Sequence, residues 1–229
     1  MRMLLILLSY AKANEMVARH WPWYLQADAD IMGVGRQDSD TQFPEARLVW
    51  TVDIGKDEYV NGANLPDLHV RALSCGLSLT YRDPDMEDEQ PYTHFCLTEP
   101  DALFFKPPPL HRDGLMATYS GGNSPGFLGT AFFHGPWYFD RDTADKAVEF
   151  GRRMIDRGLI ERGFPDRFWG LFCDLYGVKF TPFGKGTYSR NRLDRPEYIK
   201  EARQAIKDGI FYLHGVKTKE EMDAVLKEA

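Results

Sequence analysis

The run Met3-Leu4-Leu5-Ile6-Leu7-Leu8 constrains the fold more than any other feature of the chain. Six consecutive apolar residues leave no polar face, so a strand made of them must be covered on both sides. The residues that follow supply the cover. Ala11 to Leu25 reads as a helix whose end is limited by Pro22. Asp30 to Val34 reads as a second strand, leaving into the polar loop Gly35-Arg36-Gln37-Asp38. Leu48 to Ile54 is a third strand, rich in β-branched residues. Leu65 to Leu79 is a helix with Leu65, Leu68, Ala72, Cys75 and Leu79 along one face, and Tyr92 to Leu97 is a fourth strand. This alternation predicts an α/β fold built on a mostly parallel sheet flanked by helices, with right-handed crossovers. Ligands of such sheets bind beyond the carboxyl ends of the strands.

The second half reads differently. Pro107-Pro108-Pro109 breaks the chain, and a strand is expected at Leu115 to Tyr119. A glycine-dense stretch runs from Gly121 to Gly129, then a strand from Thr130 to His134, ending at Gly135. Helices are expected at Thr143 to Arg157, within Gly163 to Tyr176, at Pro196 to Asp208 and at Thr218 to Lys227. A short strand is read at Val178 to Phe180, and another in Gly209 to Gly215. At 229 residues, with no linker-like stretch, the chain is expected to form one domain. A net charge of −6 argues against a broad basic surface for nucleic acid, so a polyanionic ligand needs local cations or a metal. Three scattered cysteines make neither a zinc framework nor a paired disulfide set. The apolar run at the start is too short for a membrane span and reads as a strand instead of a signal sequence; the expectation is a soluble, cytoplasmic protein without a membrane span.

Two motifs carry chemistry. Glu99-Pro100-Asp101 follows the fourth strand and precedes the apolar Ala102-Leu103-Phe104-Phe105, so its two carboxylates are held between buried segments. Hard divalent cations prefer such oxygens and bridge them to phosphate. A solvated turn is the competing reading. In His214-Gly215-Val216-Lys217, a strand delivers an imidazole into a glycine turn with an ammonium close behind. Imidazole can complete a metal site, and ammonium pairs with phosphate oxygens.

With these motifs the chain resembles the GT-A glycosyltransferase superfamily, whose members carry an acidic DxD-like motif after the fourth strand and often a late metal-contacting histidine. Here the acidic motif has Glu99 in place of the usual first aspartate. The resemblance implies a nucleotide-binding half at 1–106 and an acceptor-binding half at 107–229 that includes the C-terminal metal-site strand. It implies that Glu99, Asp101 and His214 hold Mn²⁺ or Mg²⁺ on the diphosphate of a nucleotide-sugar, most often a UDP-sugar, with Lys217 facing the same diphosphate. It further implies nucleotide contacts from Ser9 and Tyr10 after the first strand, from Asp38 after the second (with Arg36 the nearby alternative), and a phosphate contact from Arg71. For Arg71 a solvated helix face competes. Asn123 and Ser124 of the glycine-dense stretch would meet sugar hydroxyls. Asp166, at a helix start, is the candidate general base, with an N-cap role as its rival. The acceptor stays open among a glycan, a small molecule and a hydroxymethylated DNA base; only the basic cluster Lys185, Arg190, Arg192 and Arg195 speaks for the last. A sugar nucleotidyltransferase and a non-catalytic nucleotide-binding module are the other readings.

Overall fold

The computed structural model describes residues 2–9, 14–36, 43, 46–52, 65–79, 91–109, 114–119, 133–158, 165–190 and 192–227. The apolar run becomes β1 (Met3–Ser9), with every residue buried. It pairs in parallel with β2 (Asp30–Arg36) on one side and β4 (His94–Thr98) on the other, and β3 (Leu48–Val52) extends the sheet beyond β2. Beyond β4 lie β7 (Phe133–Asp140), β6 (Leu115–Tyr119) and β8 (Phe180–Pro182), giving the order β3-β2-β1-β4-β7-β6-β8. Only β7 runs against the others, antiparallel to both β4 and β6. The sheet is therefore mixed but mostly parallel.

The two-residue alternation of β1 explains how the sheet is covered. Leu4, Ile6 and Leu8 point into a core made with α2 (Leu65–Leu79), α3 (Arg141–Asp156) and α4 (Pro165–Tyr176). Met3, Leu5 and Leu7 point the other way, against Val17, Trp21 and Tyr24 of α1 (Asn14–Tyr24). A second, three-stranded sheet packs on that face, ordered β5 (Ala102–Phe104), β10 (Tyr212–His214), β9 (Thr187–Ser189). Its far side forms a smaller core with α5 (Pro196–Lys207) and α6 (Lys219–Leu226). Among the described residues no helix is long and apolar enough to cross a membrane.

Several local expectations are corrected. The strand expected to stop at Gly135 instead spans Phe133–Asp140, carried by the apolar Trp137-Tyr138-Phe139. The strand read at Val178 to Phe180 lies two residues later, where Leu115↔Phe180 sets its register with β6. β5 and β9 are short strands where the sequence shows only an apolar run and a basic loop.

Helices α2 and α3 meet at Gly151. A Cβ there would lie 3.0 Å or less from the Cβ and both γ-methyl carbons of Val70, whose branched side chain has little room to turn away. Gly151→Ala is expected to destabilise the protein by about 1–3 kcal/mol through overpacking. Chemical denaturation should show that cost largely absent when Gly151→Ala is made in a Val70→Ala background; the same increment in that background would refute the contact as its cause.

Candidate metal centre

The turn after β4 is held from three directions. Its Pro100 carbonyl accepts hydrogen bonds from Tyr24 Oη at 2.6 Å and from His20 Nδ1 at 2.9 Å, both on α1. Its Asp101 carbonyl accepts the amides of Gly215 at 3.1 Å and Val216 at 3.0 Å. The antiparallel register His214↔Ala102 then fixes the imidazole beside the acids. Gly215 is required at that junction: its φ is +100°, and a side chain would collide with the Arg190 carbonyl.

These constraints bring Glu99, Asp101 and His214 together, with one donor atom from each all within 4.8 Å of one another. His214 Nε2 is 2.9 Å from Glu99 Oε2 and 3.1 Å from Asp101 Oδ1, and Ser189 Oγ hydrogen-bonds its Nδ1 at 3.1 Å. Lys217 Nζ stands 3.6 Å from Asp101 Oδ2. The segment carrying Lys217 is itself anchored: Thr218 and Glu221 form a reciprocal cap at the start of α6, and Arg19 donates to the Lys217 carbonyl at 3.0 Å.

The electrostatics follow from burial opposed by pairing. Burial pushes the Glu99 and Asp101 carboxyls up, but the His214 imidazolium beside them outweighs it and holds both below the ordinary range. Burial lowers His214, yet the two carboxylates raise it well above 6.5. A single Nε2–H serves one acceptor well. It is directed at Glu99, and the buried Asp101 Oδ1, 3.1 Å from the same nitrogen, is paired with His214 by charge but makes no well-aligned hydrogen bond among the described residues. Two carboxylate oxygens and an imidazole nitrogen fit a divalent cation, and the nitrogen favours Mn²⁺ over Mg²⁺. Binding would exchange the imidazole proton for the cation.

The other sequence candidates are distributed unevenly. Ser9 lies at the same edge, two residues beyond Leu7, which pairs with Thr98; it is fully buried and its hydroxyl has no partner among the described residues. Tyr10, Asp38, Asn123 and Ser124 lie outside the described residues. Arg71 is 57% exposed and its guanidinium is bound to Asp67 at 2.9 Å, one helical turn back. That pairing commits it to the solvent face of α2, and no described contact ties it to the triad. In the basic cluster Arg190 is bound to Glu201 at 2.9 Å and lies over the rings of Tyr188 and Tyr198.

Asp166 is in the first turn of α4, where its Oδ2 lies 3.0 Å from Nδ1 of His134 on β7. In the sequence His134 carries no signal beyond its place at the rim of an expected strand. Three residues beyond Asp166, Trp169 Nε1 donates to His69 Nδ1 at 3.3 Å. His69 is wholly buried against Trp137 and Trp169, and burial lowers it to about 4 despite a raising influence from Glu99.

Because the folded protein keeps His69 neutral down to about 4 while the unfolded chain protonates it near 6.5, its contribution is present above 6.5 and lost as pH falls toward 4. The full loss is about 3 kcal/mol. Urea unfolding at pH 7 and pH 4.5 should show a smaller acid-induced drop in His69→Gln than in the parent. An equal drop in both would remove His69 from the acid response.

No protein-family model matches this chain, and no curated protein matches it.

Proposed function

We propose that the chain is a metal-dependent glycosyltransferase of the GT-A type. In this reading it moves a sugar from a nucleotide-sugar, a UDP-sugar in the first instance, to the hydroxyl of a glycan, a small molecule or a modified DNA base. The observation that carries the reading is the convergence of Glu99, Asp101 and His214, three groups able to ligate a cation, at the carboxyl edge of a mostly parallel sheet. The acids follow the fourth strand and the histidine comes late in the chain, the two features on which the resemblance rests.

A divalent cation held by these three residues supplies positive charge against the diphosphate as it departs. The chain's own groups do the rest. The Pro100 and Asp101 carbonyls are tied down, so the carboxylates keep their positions without reorganising. Lys217, 41% exposed, has an ammonium free to swing from Asp101 toward a phosphate oxygen while staying at the rim. On the acceptor side a group must take the hydroxyl proton, and Asp166 with its partner His134 is the available pair.

Two incubations with Mn²⁺ test the reading, one with a panel of nucleotide-sugars and one with sugar phosphates and UTP. Release of UDP from one nucleotide-sugar, abolished by EDTA and restored by Mn²⁺, is the expected result. Pyrophosphate from the second incubation, or silence in both, would overturn it in favour of a nucleotidyltransferase or a binding module respectively.

A further inference from the structure

We infer that the proton acceptor of this site is Nε2 of His134, with Asp166 as the positioning residue behind it; the inference rests on the glycosyl-transfer reading and names its base. The pair brings together the components of an oriented imidazole base: a carboxylate oxygen 3.0 Å from Nδ1, within reach of its proton, and the opposite nitrogen on the far side of the ring. Exposure separates the partners. The His134 side chain is 32% exposed against 16% for Asp166, so the imidazole is the member presented to an incoming molecule. Among the described histidines it is also the open one: His20, His69 and His94 are buried, and His214 is 12% exposed and committed to the acids. A carboxylate is a weak base at neutral pH, whereas an imidazole has the basicity that proton abstraction from a hydroxyl requires.

Placement agrees. β7 is the strand next to β4, roughly 5 Å across the sheet. Leu97 pairs with Trp137, so Glu99 and His134 both lie beyond that pair toward the carboxyl edge. His134 is opposite Thr118, whose hydroxyl donates to Thr187 Oγ1 at 2.9 Å on β9, the strand whose Ser189 holds His214. The dyad and the metal triad are thus carried by neighbouring strands at the carboxyl edge and linked through Thr118, Thr187 and β9. In the step assigned here, the acceptor O–H proton passes to His134 Nε2 and the freed electron pair of the acceptor oxygen forms the bond to the anomeric carbon. The bond from that carbon to the diphosphate oxygen breaks, and its electron pair leaves on the nucleoside diphosphate. The resulting imidazolium is balanced by Asp166.

The test uses the nucleotide-sugar from which the wild-type chain releases UDP fastest, with Mn²⁺ and with water as acceptor. His134→Ala should lose about 100-fold or more in kcat at unchanged donor KM, and free imidazole should restore part of it. Asp166→Asn should lose less and gain nothing from imidazole. A His134→Ala or His134→Gln enzyme within twofold of wild type, or a loss in both that imidazole leaves untouched, overturns the assignment. A second measurement needs no substrate: carbethoxylation of His134 by diethyl pyrocarbonate, compared on the high-pH plateau of the rate in each protein and followed by mass spectrometry, should slow several-fold in Asp166→Asn. An unchanged rate refutes the dyad even if UDP is released. A wild-type chain inert toward every donor with a slowed rate in Asp166→Asn refutes glycosyl transfer, and the base role with it, while leaving the pairing intact.

Discussion

Asp101→Asn is expected to weaken Mn²⁺ binding by at least about 100-fold, measured by isothermal titration calorimetry, while the fold is kept. The substitution exchanges an anionic donor for a neutral amide at a buried carboxylate that pairs with His214. It also removes the group that Lys217 neutralises and that helps keep His214 charged. In the metal-free parent His214 is raised well above 6.5, so at neutral pH the imidazole must give up a proton to bind. Mn²⁺ affinity of the parent should therefore rise with pH, by up to tenfold per pH unit below the imidazole's own titration, with about one proton released. Thermal stabilisation by Mn²⁺ should follow the same order, large in the parent and nearly absent in Asp101→Asn. Equal affinity in the two proteins would mean that these three residues do not hold the cation, and the proposed function would lose its support.

Trp169→Ala is expected to destabilise the protein by about 3–5 kcal/mol, read by urea denaturation. The indole is fully buried where α4, α2 and β7 meet, with ring centroids 4.7 Å from Phe168, 5.0 Å from Phe139 and 6.0 Å from Phe172. Truncation opens a large cavity and also leaves His69 Nδ1 without its donor in an apolar surround. Leu175, on the same helix but 58% exposed, is the control, and its change to alanine should cost under about 0.5 kcal/mol. A Trp169→Ala cost near that of the control would show that α4 is not packed as described.

The residues that made parts of this fold legible are those whose pattern has one solution. β1 was readable because an unbroken apolar run must be covered on both faces, and α2 because its apolar residues repeat at helical spacing. The acid turn was readable because carboxylates rarely stand between two apolar segments without cause. Other features carried no local signal. Gly135 and Pro136 look like a stop, and only pairing with β4 and β6 shows that β7 continues through them. β9 is three part-buried residues whose partner, β10, lies 23 or more positions away. His134 met Asp166 through a contact across 32 positions, which no spacing rule anticipates. The reversed direction of β7 is likewise a property of the assembled sheet.

The Asp101 carbonyl that receives the Gly215 and Val216 amides has one more consequence. Glu99 and Asp101 lie in the turn that links β4 of the main sheet to β5, whereas His214 comes on a strand from the last part of the chain, so a cation shared among them fastens that later segment to the turn. Whenever that segment peels away, the coordination is lost with it. Saturating Mn²⁺ must then slow hydrogen exchange at those two amides by the factor one plus its concentration over its dissociation constant, provided exchange there proceeds through local opening. The site would thus be a timer for the docking of the carboxyl-terminal segment as well as a place for chemistry.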